Sequence, residues 1–137
     1  MNLQELRLGT VIGRKSSDYP QRVDGIKTHN IWLMCLGSHC DLSTDDVENG
    51  VKDLYKIKIT EDWLLSAGFE QKYTFEDRTW FKKGKWLFEL RDKLFFLNED
   101  DDNEEDFIKV EFVNRLQNIW FDLNNKELEF KHYPKHL

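Results

Sequence analysis

The chain has 137 residues, enough to bury one respectable core or two small ones that share an interface. With 39% apolar residues, ten Phe, five Trp and four Tyr beside 34% charged residues, it is too rich in large rings to stay disordered. The formal charge of −6 is local: Glu99, Asp100, Asp101, Asp102, Glu104, Glu105 and Asp106 carry seven of the 26 acidic groups, and without them 19 face 20 basic ones, so net charge implies neither a general nucleic-acid-binding face nor a whole-molecule acidic mimic.

Met1 to Arg7 show no basic start followed by an apolar stretch, and no segment approaches the roughly 18 apolar residues of a membrane span. No membrane association is expected, and the expected location is the cytoplasm. Cys35 and Cys40, five positions apart, form no disulfide framework and read as two reduced thiols.

From Leu6 to about Ile59, short apolar runs alternate with turn formers. Thr10 to Gly13, Val23 to Ile26, Asn30 to Leu36 and Leu54 to Ile59 read as strands, and Ser16-Ser17-Asp18-Tyr19-Pro20 as a turn. Tyr55, Ile57 and Ile59 alternate with two lysines, the pattern of a half-buried strand. Several short strands in so few residues expose edges unless they curl, so residues 1–58 are expected to form a small, partly closed barrel of the SH3-like kind. Gly37 to Gly50 reads as a long loop, or as one short helix begun by Ser43 or Thr44.

Residues 59–137 read as an α+β subdomain, packed with the first part as one compact unit. Thr60 is the expected N-cap of a two-turn helix, Glu61 to Ala67, with acidic residues in its first turn, Gly68 as its stop and Trp63, Leu64 and Ala67 as its buried stripe. Gln71 to Phe75, Arg78 to Lys83, Lys85 to Leu90 and Lys93 to Leu97 then read as an antiparallel meander. Leu94 to Leu97 is apolar on both faces and so is expected inside the sheet, with Trp86, Phe88 and Leu90 sharing one face of the strand before it. The acidic run is a loop, after which Ile108, Val110 and Phe112 point inward. Val113, Leu116, Ile119, Trp120 and Leu123 form one helical stripe ended by Asn124-Asn125, expected to lie across the meander. Glu127 to Lys131 reads as a further short strand and residues 132–137 as a frayed tail.

Three segments, Glu5 to Val11, Ile59 to Phe69 and Val113 to Leu128, together resemble a family of small, mostly uncharacterised proteins of bacteriophages and other mobile elements of anaerobic gut bacteria. Glu5-Leu6-Arg7-Leu8-Gly9-Thr10-Val11 is similar to its opening E-L-R-x-G-x-x-V. Ile59-Thr60-Glu61-Asp62-Trp63-Leu64-Leu65-Ser66-Ala67-Gly68-Phe69 is similar to its central L-T-E-E-W-L-x-x-x-G-F. Val113 to Leu128 looks like its closing V-H-x-L-Q-N-L-Y-F-x-L-T-G-x-E-L, with Asn114 in place of the usual His and Asn125 in place of the usual Gly. The likeness implies an accessory protein with a barrel-like N-terminal part and an α+β remainder, and no reaction.

No glycine-rich phosphate loop, G-x-S-x-G elbow, H-E-x-x-H pair or dinucleotide fingerprint occurs, so a non-enzymatic protein without cofactor is expected. Cys35, His39 and Cys40 with His29 carry zinc-ligand chemistry, but C-x3-H-C is no standard knuckle, and a buried Cys35 beside a loop His39 and Cys40 is the ordinary reading. A thiol nucleophile at Cys40 needs a facing imidazole and an oxyanion site, and adjacent His39 and Cys40 point in different directions along an extended chain. The acidic run lacks the central Gly and spacing of a calcium loop. Its ordinary reading is a solvated loop that discourages edge pairing and aggregation; as a contact it suits a basic patch on a host protein, the leading expectation for a partner, with interference with a host defence system as its specific form. Trp80, Lys82, Lys83, Lys85, Trp86, Arg91 and Lys93 interleave rings with basic groups, the alternative expectation being a nucleic-acid or nucleotide contact.

Overall fold

The computed structural model describes residues 6–15, 17–26, 30–36, 44–48, 54–91, 94–97 and 108–134. It is an α+β protein of two compact units, Met1–Ile57 with Tyr133–Leu137, and Lys58–His132. Among the described residues no helix is long and apolar enough to cross a membrane.

The first unit holds five antiparallel strands, β1 (Val11–Arg14), β2 (Ser17–Ile26), β3 (Asn30–Cys35), β4 (Thr44–Glu48) and β5 (Leu54–Tyr55), in the order β4-β3-β2-β1-β5. Among the described residues no ladder joins β4 to β5, so the hydrogen-bonded sheet stays open. Alternating residues Ile12, Val23, Ile31 and Leu33 meet Leu6 and Leu54 in a core in which none is more than 7% exposed. Gly13 lies opposite Tyr55, and a β-carbon there would sit 2.3 Å from the tyrosine ring, so the ring covers the strand only because the position is glycine.

Residues 17–20, read as a turn, belong to the ten-residue β2. The pairing with β1 is regular at Val11↔Arg22 and Ile12↔Gln21, then slips to Arg14↔Ser17, and this irregularity accommodates Pro20, which has no N–H to give a ladder. The Pro20 carbonyl still accepts the Leu36 N–H at 2.9 Å. Within the expected loop Gly37 to Gly50, Thr44–Glu48 is a strand paired with β3 in the register Ile31↔Val47, because pairing with an open edge outweighs weak local strand propensity. The rest of that loop lies outside the described residues.

The second unit opens with α1 (Glu61–Ser66), where the Thr60 hydroxyl accepts the Trp63 N–H at 3.4 Å. Gly68 at φ +85° ends it, its N–H bonding the Leu65 carbonyl while the Phe69 N–H bonds Leu64, both at 3.0 Å, the paired closure that a left-handed residue permits. The sheet β6 (Glu70–Phe75), β7 (Arg78–Lys83), β8 (Trp86–Leu90), β9 (Leu94–Leu97) and β10 (Ile108–Val110) is an antiparallel meander in the order β10-β9-β8-β7-β6, with β9 inside it as its apolar sequence predicts. Helix α2 (Val113–Asn124) buries Val113, Leu116, Ile119 and Trp120, and Asn125 ends it in the left-handed conformation at φ 54°. The cores of helix and sheet meet edge to face: the Phe69 ring centroid lies 5.2 Å from Phe88 and 5.8 Å from Trp120.

Ile108, expected inward, is 44% exposed, whereas Val110 is fully buried, so only the second of these positions reaches the core from the edge strand β10. The expected strand over Glu127 to Lys131 is not formed, and the segment lies outside the sheets without regular secondary structure. It docks on α1: Leu128 is buried, Phe130 meets Trp63 edge-on at 5.4 Å, and the Lys131 N–H bonds the Ser66 carbonyl at 2.8 Å. The Ser66 hydroxyl donates to the His132 carbonyl and accepts the His132 N–H at 3.1 Å. His132, expected in the frayed tail, is therefore fixed.

Candidate functional site

The edge hairpin of the second sheet brings exposed rings and charged groups together. Phe75 pairs with Arg78 across a two-residue turn, Glu76-Asp77, with Glu76 left-handed at φ 55°. Counting back from that turn sets Tyr73 against Trp80, and the rings stack, centroids 4.6 Å apart and planes 20° from parallel. Because β6 is the sheet edge, all six of its residues are exposed, Tyr73 by 57% and Phe75 by 64%. A ladder irregularity between Gln71 and Tyr73 sets Lys72 out of register, where its amine meets the Glu70 carboxylate at 3.0 Å and pushes that carboxyl below the usual glutamate range. Glu70 also lies opposite Lys82.

Alternation along β7 turns Phe81 into the core and sends its neighbours Trp80 and Lys82 to the other face, while Lys83 follows Phe81 inward. The Lys83 amine donates to the Ala67 carbonyl at the end of α1 at 2.5 Å, and lies 5.0 Å from the Trp120 ring centroid and 5.9 Å from that of Phe69. Burial pushes its pKa below the usual lysine value, against the pull of Glu129. Two concavities meet at this side chain. One, of about 260 Å³, is lined by Gly68, Glu70, Lys72, Lys82, Lys83 and Gly84. The other, of about 520 Å³, is lined by Lys83, Trp120, Lys126, Glu127 and Glu129.

The residues expected to contact nucleic acid therefore divide between the faces of the sheet. Trp80 and Lys82 lie on the outer face, and Lys83 rounds its end. Trp86 faces α2 instead, its indole N–H donating to Asn124 Oδ1 at 2.9 Å, with the Lys85 amine 4.7 Å from its ring centroid. Arg91 is committed to Glu89, a carboxylate only 3% exposed that Arg78 also approaches at 3.6 Å. Lys93 and the acidic residues Glu99, Asp100, Asp101, Asp102, Glu104, Glu105 and Asp106 lie outside the described residues.

Cys35 is disulfide-bonded, which corrects the reading of two reduced thiols and takes its sulfur out of the thiolate form that a zinc ligand needs. His29, His39 and Cys40 lie outside the described residues. Among the described residues no group of three or more His, Cys, Asp or Glu side chains is placed to hold a metal.

Sequence reasoning passed over Tyr73 and Lys72. The signal for Tyr73 was present in the Glu76-Asp77 turn, whose length fixes the register opposite Trp80. Lys72 was not legible, because the irregularity that displaces it leaves no mark in the residue pattern. The hairpin thus carries a stacked aromatic pair, with Tyr73 exposed and Trp80 half-buried, in the same two strands as Lys72 and Lys82. No family model, curated protein or solved structure matches the chain.

Proposed function

We propose that this chain is a non-enzymatic binding protein, and that it takes single-stranded nucleic acid or a nucleotide on the outer face of the β6–β7 hairpin. One observation carries the reading: Tyr73, 57% exposed at the sheet edge, stacks on Trp80 in the two strands that also carry Lys72 and Lys82. Sequence-tolerant binding of a single strand needs an accessible ring for the base and amines for the backbone, and this hairpin supplies both. The motif resemblance to phage and mobile-element proteins supports a role inside a bacterial host.

A titration of fluorescein-labelled dT12 followed by anisotropy tests the reading. Removal of a base-stacking ring costs about 1–3 kcal/mol, so Tyr73→Ala should weaken binding by roughly 5- to 150-fold. Equal affinity of the folded variant and the parent would refute the stacking platform.

Engagement of a host protein is the second reading, favoured by one structural observation, strand β6, which is the outer strand of its sheet among the described residues and has all six residues exposed, the apolar Phe75 included. Its test is a pull-down from host lysate with the parent and with Phe75→Ser. A protein partner retained by the parent and lost by the variant supports this reading. A partner set identical for the two rejects it.

A further inference from the structure

The smaller concavity, lined from the start of β6 and the end of β7, has a composition of its own. It is walled by three lysines and one glutamate, and two glycines contribute backbone without side chains. Net of Glu70 it carries two formal positive charges, in a chain whose formal charge is −6. At about 260 Å³ it falls below the size of a pocket for a whole drug-sized ligand and suits a single group.

Its third amine is already in place. Lys83 is held by the Ala67 carbonyl and by the faces of Trp120 and Phe69, so little of its side-chain freedom remains to be lost when a ligand arrives. One of its three N–H groups is used on Ala67, which leaves two for an acceptor. Gly68, with φ +85°, brings the backbone against that amine: a β-carbon there would stand 3.3 Å from Nζ. Lys72 and Lys82 belong to the neighbouring strands β6 and β7, and Lys83, which alternation sends to the other face of β7, joins them in the lining at the end of that strand.

We infer that this concavity is a subsite for a terminal phosphate of the strand or nucleotide whose base stacks on Tyr73, an inference that rests on the reading proposed above. A phosphate monoester carries about −1.5 to −2 charges at neutral pH and three strong acceptor oxygens, which matches two net positive charges and several amines. An internal phosphodiester, with one charge, matches less well.

Three hexathymidylates test the subsite in 50 mM salt: dT6, dT6 with a 5′-phosphate and dT6 with a 3′-phosphate. One of the end-phosphorylated strands should bind at least fivefold tighter than dT6. In the double variant Lys72→Ala/Lys82→Ala, whose side chains lie outside the core, that advantage should vanish. Lys126→Ala, in the neighbouring cleft, should keep it. Equal affinity of all three strands for the parent overturns the subsite and leaves stacking intact, as does an advantage that survives the double variant. If no strand binds, the stacking reading has failed and inorganic phosphate decides the subsite alone. Saturable shifts of the Gly68 and Gly84 amide resonances, lost in the double variant, would uphold it; unmoved resonances would overturn it.

Discussion

Ser66→Ala tests how the segment after α2 is held. Ser66 is fully buried, and its hydroxyl both donates to the His132 carbonyl and accepts the His132 N–H, joining residues 66 positions apart. A typical internal hydrogen bond contributes about 0.5–1.5 kcal/mol net, so two give roughly 1–3 kcal/mol. His132 is exposed, so water can satisfy its backbone once the hydroxyl is gone, which favours the lower half of that range, about 1–2 kcal/mol. At roughly 4 °C per kcal/mol for a domain of this size, the melting temperature of the second unit should fall by about 4–8 °C. Amide exchange of Leu128 to His132 should quicken by about 5- to 30-fold, since 1.4 kcal/mol is a factor of ten. Calorimetry and hydrogen exchange with mass spectrometry measure the two effects. Unchanged melting together with unchanged exchange in that segment would refute the pinning role of Ser66.

Two left-handed residues should respond differently to glycine. Glu76→Gly in the β6–β7 turn should stabilise by about 0.5–1 kcal/mol, whereas Asn125→Gly at the end of α2 should gain only a few tenths, because Asn tolerates φ near +55° far better than Glu does; urea unfolding of both variants measures the difference. For Glu70, the lysine at 3.0 Å holds the carboxyl below its usual value, so the stabilisation from the pair is present above the ordinary glutamate range and disappears as pH falls through the lowered pKa. The Glu70 side-chain carboxyl resonance should titrate below that range in the parent and return to it in Lys72→Ala. A midpoint unmoved by the substitution would contradict the pairing.

The elements legible in the sequence are those whose signals are local. The α1 cap at Thr60, its stop at Gly68 and the α2 stripe need only one turn of helix to be recognised, and the meander follows from alternation between tight turns. What escaped depends on distant partners. Strand β4 exists through the open edge of β3, Pro20 sits within β2 through a slip against β1, and residues 127–132 turn to α1 because Ser66 meets them there. The candidate site was half legible for the same reason. Trp80 and Trp86 look equivalent as ring-and-lysine patterns, yet the first faces Tyr73 and the second is tied to Asn124 on α2. The pairing of Arg91 with the buried Glu89 likewise depends on two strands side by side.

The indole N–H resonances of the protein during a dT12 titration test the central claim most directly. Binding on the outer face of the β6–β7 hairpin should shift the Trp80 resonance in a saturable way and leave those of Trp63, buried under Phe130, and Trp86, bonded to Asn124, in place. Saturable shifts at Trp63 or Trp86 with Trp80 unmoved, or no shift at any indole, would contradict it.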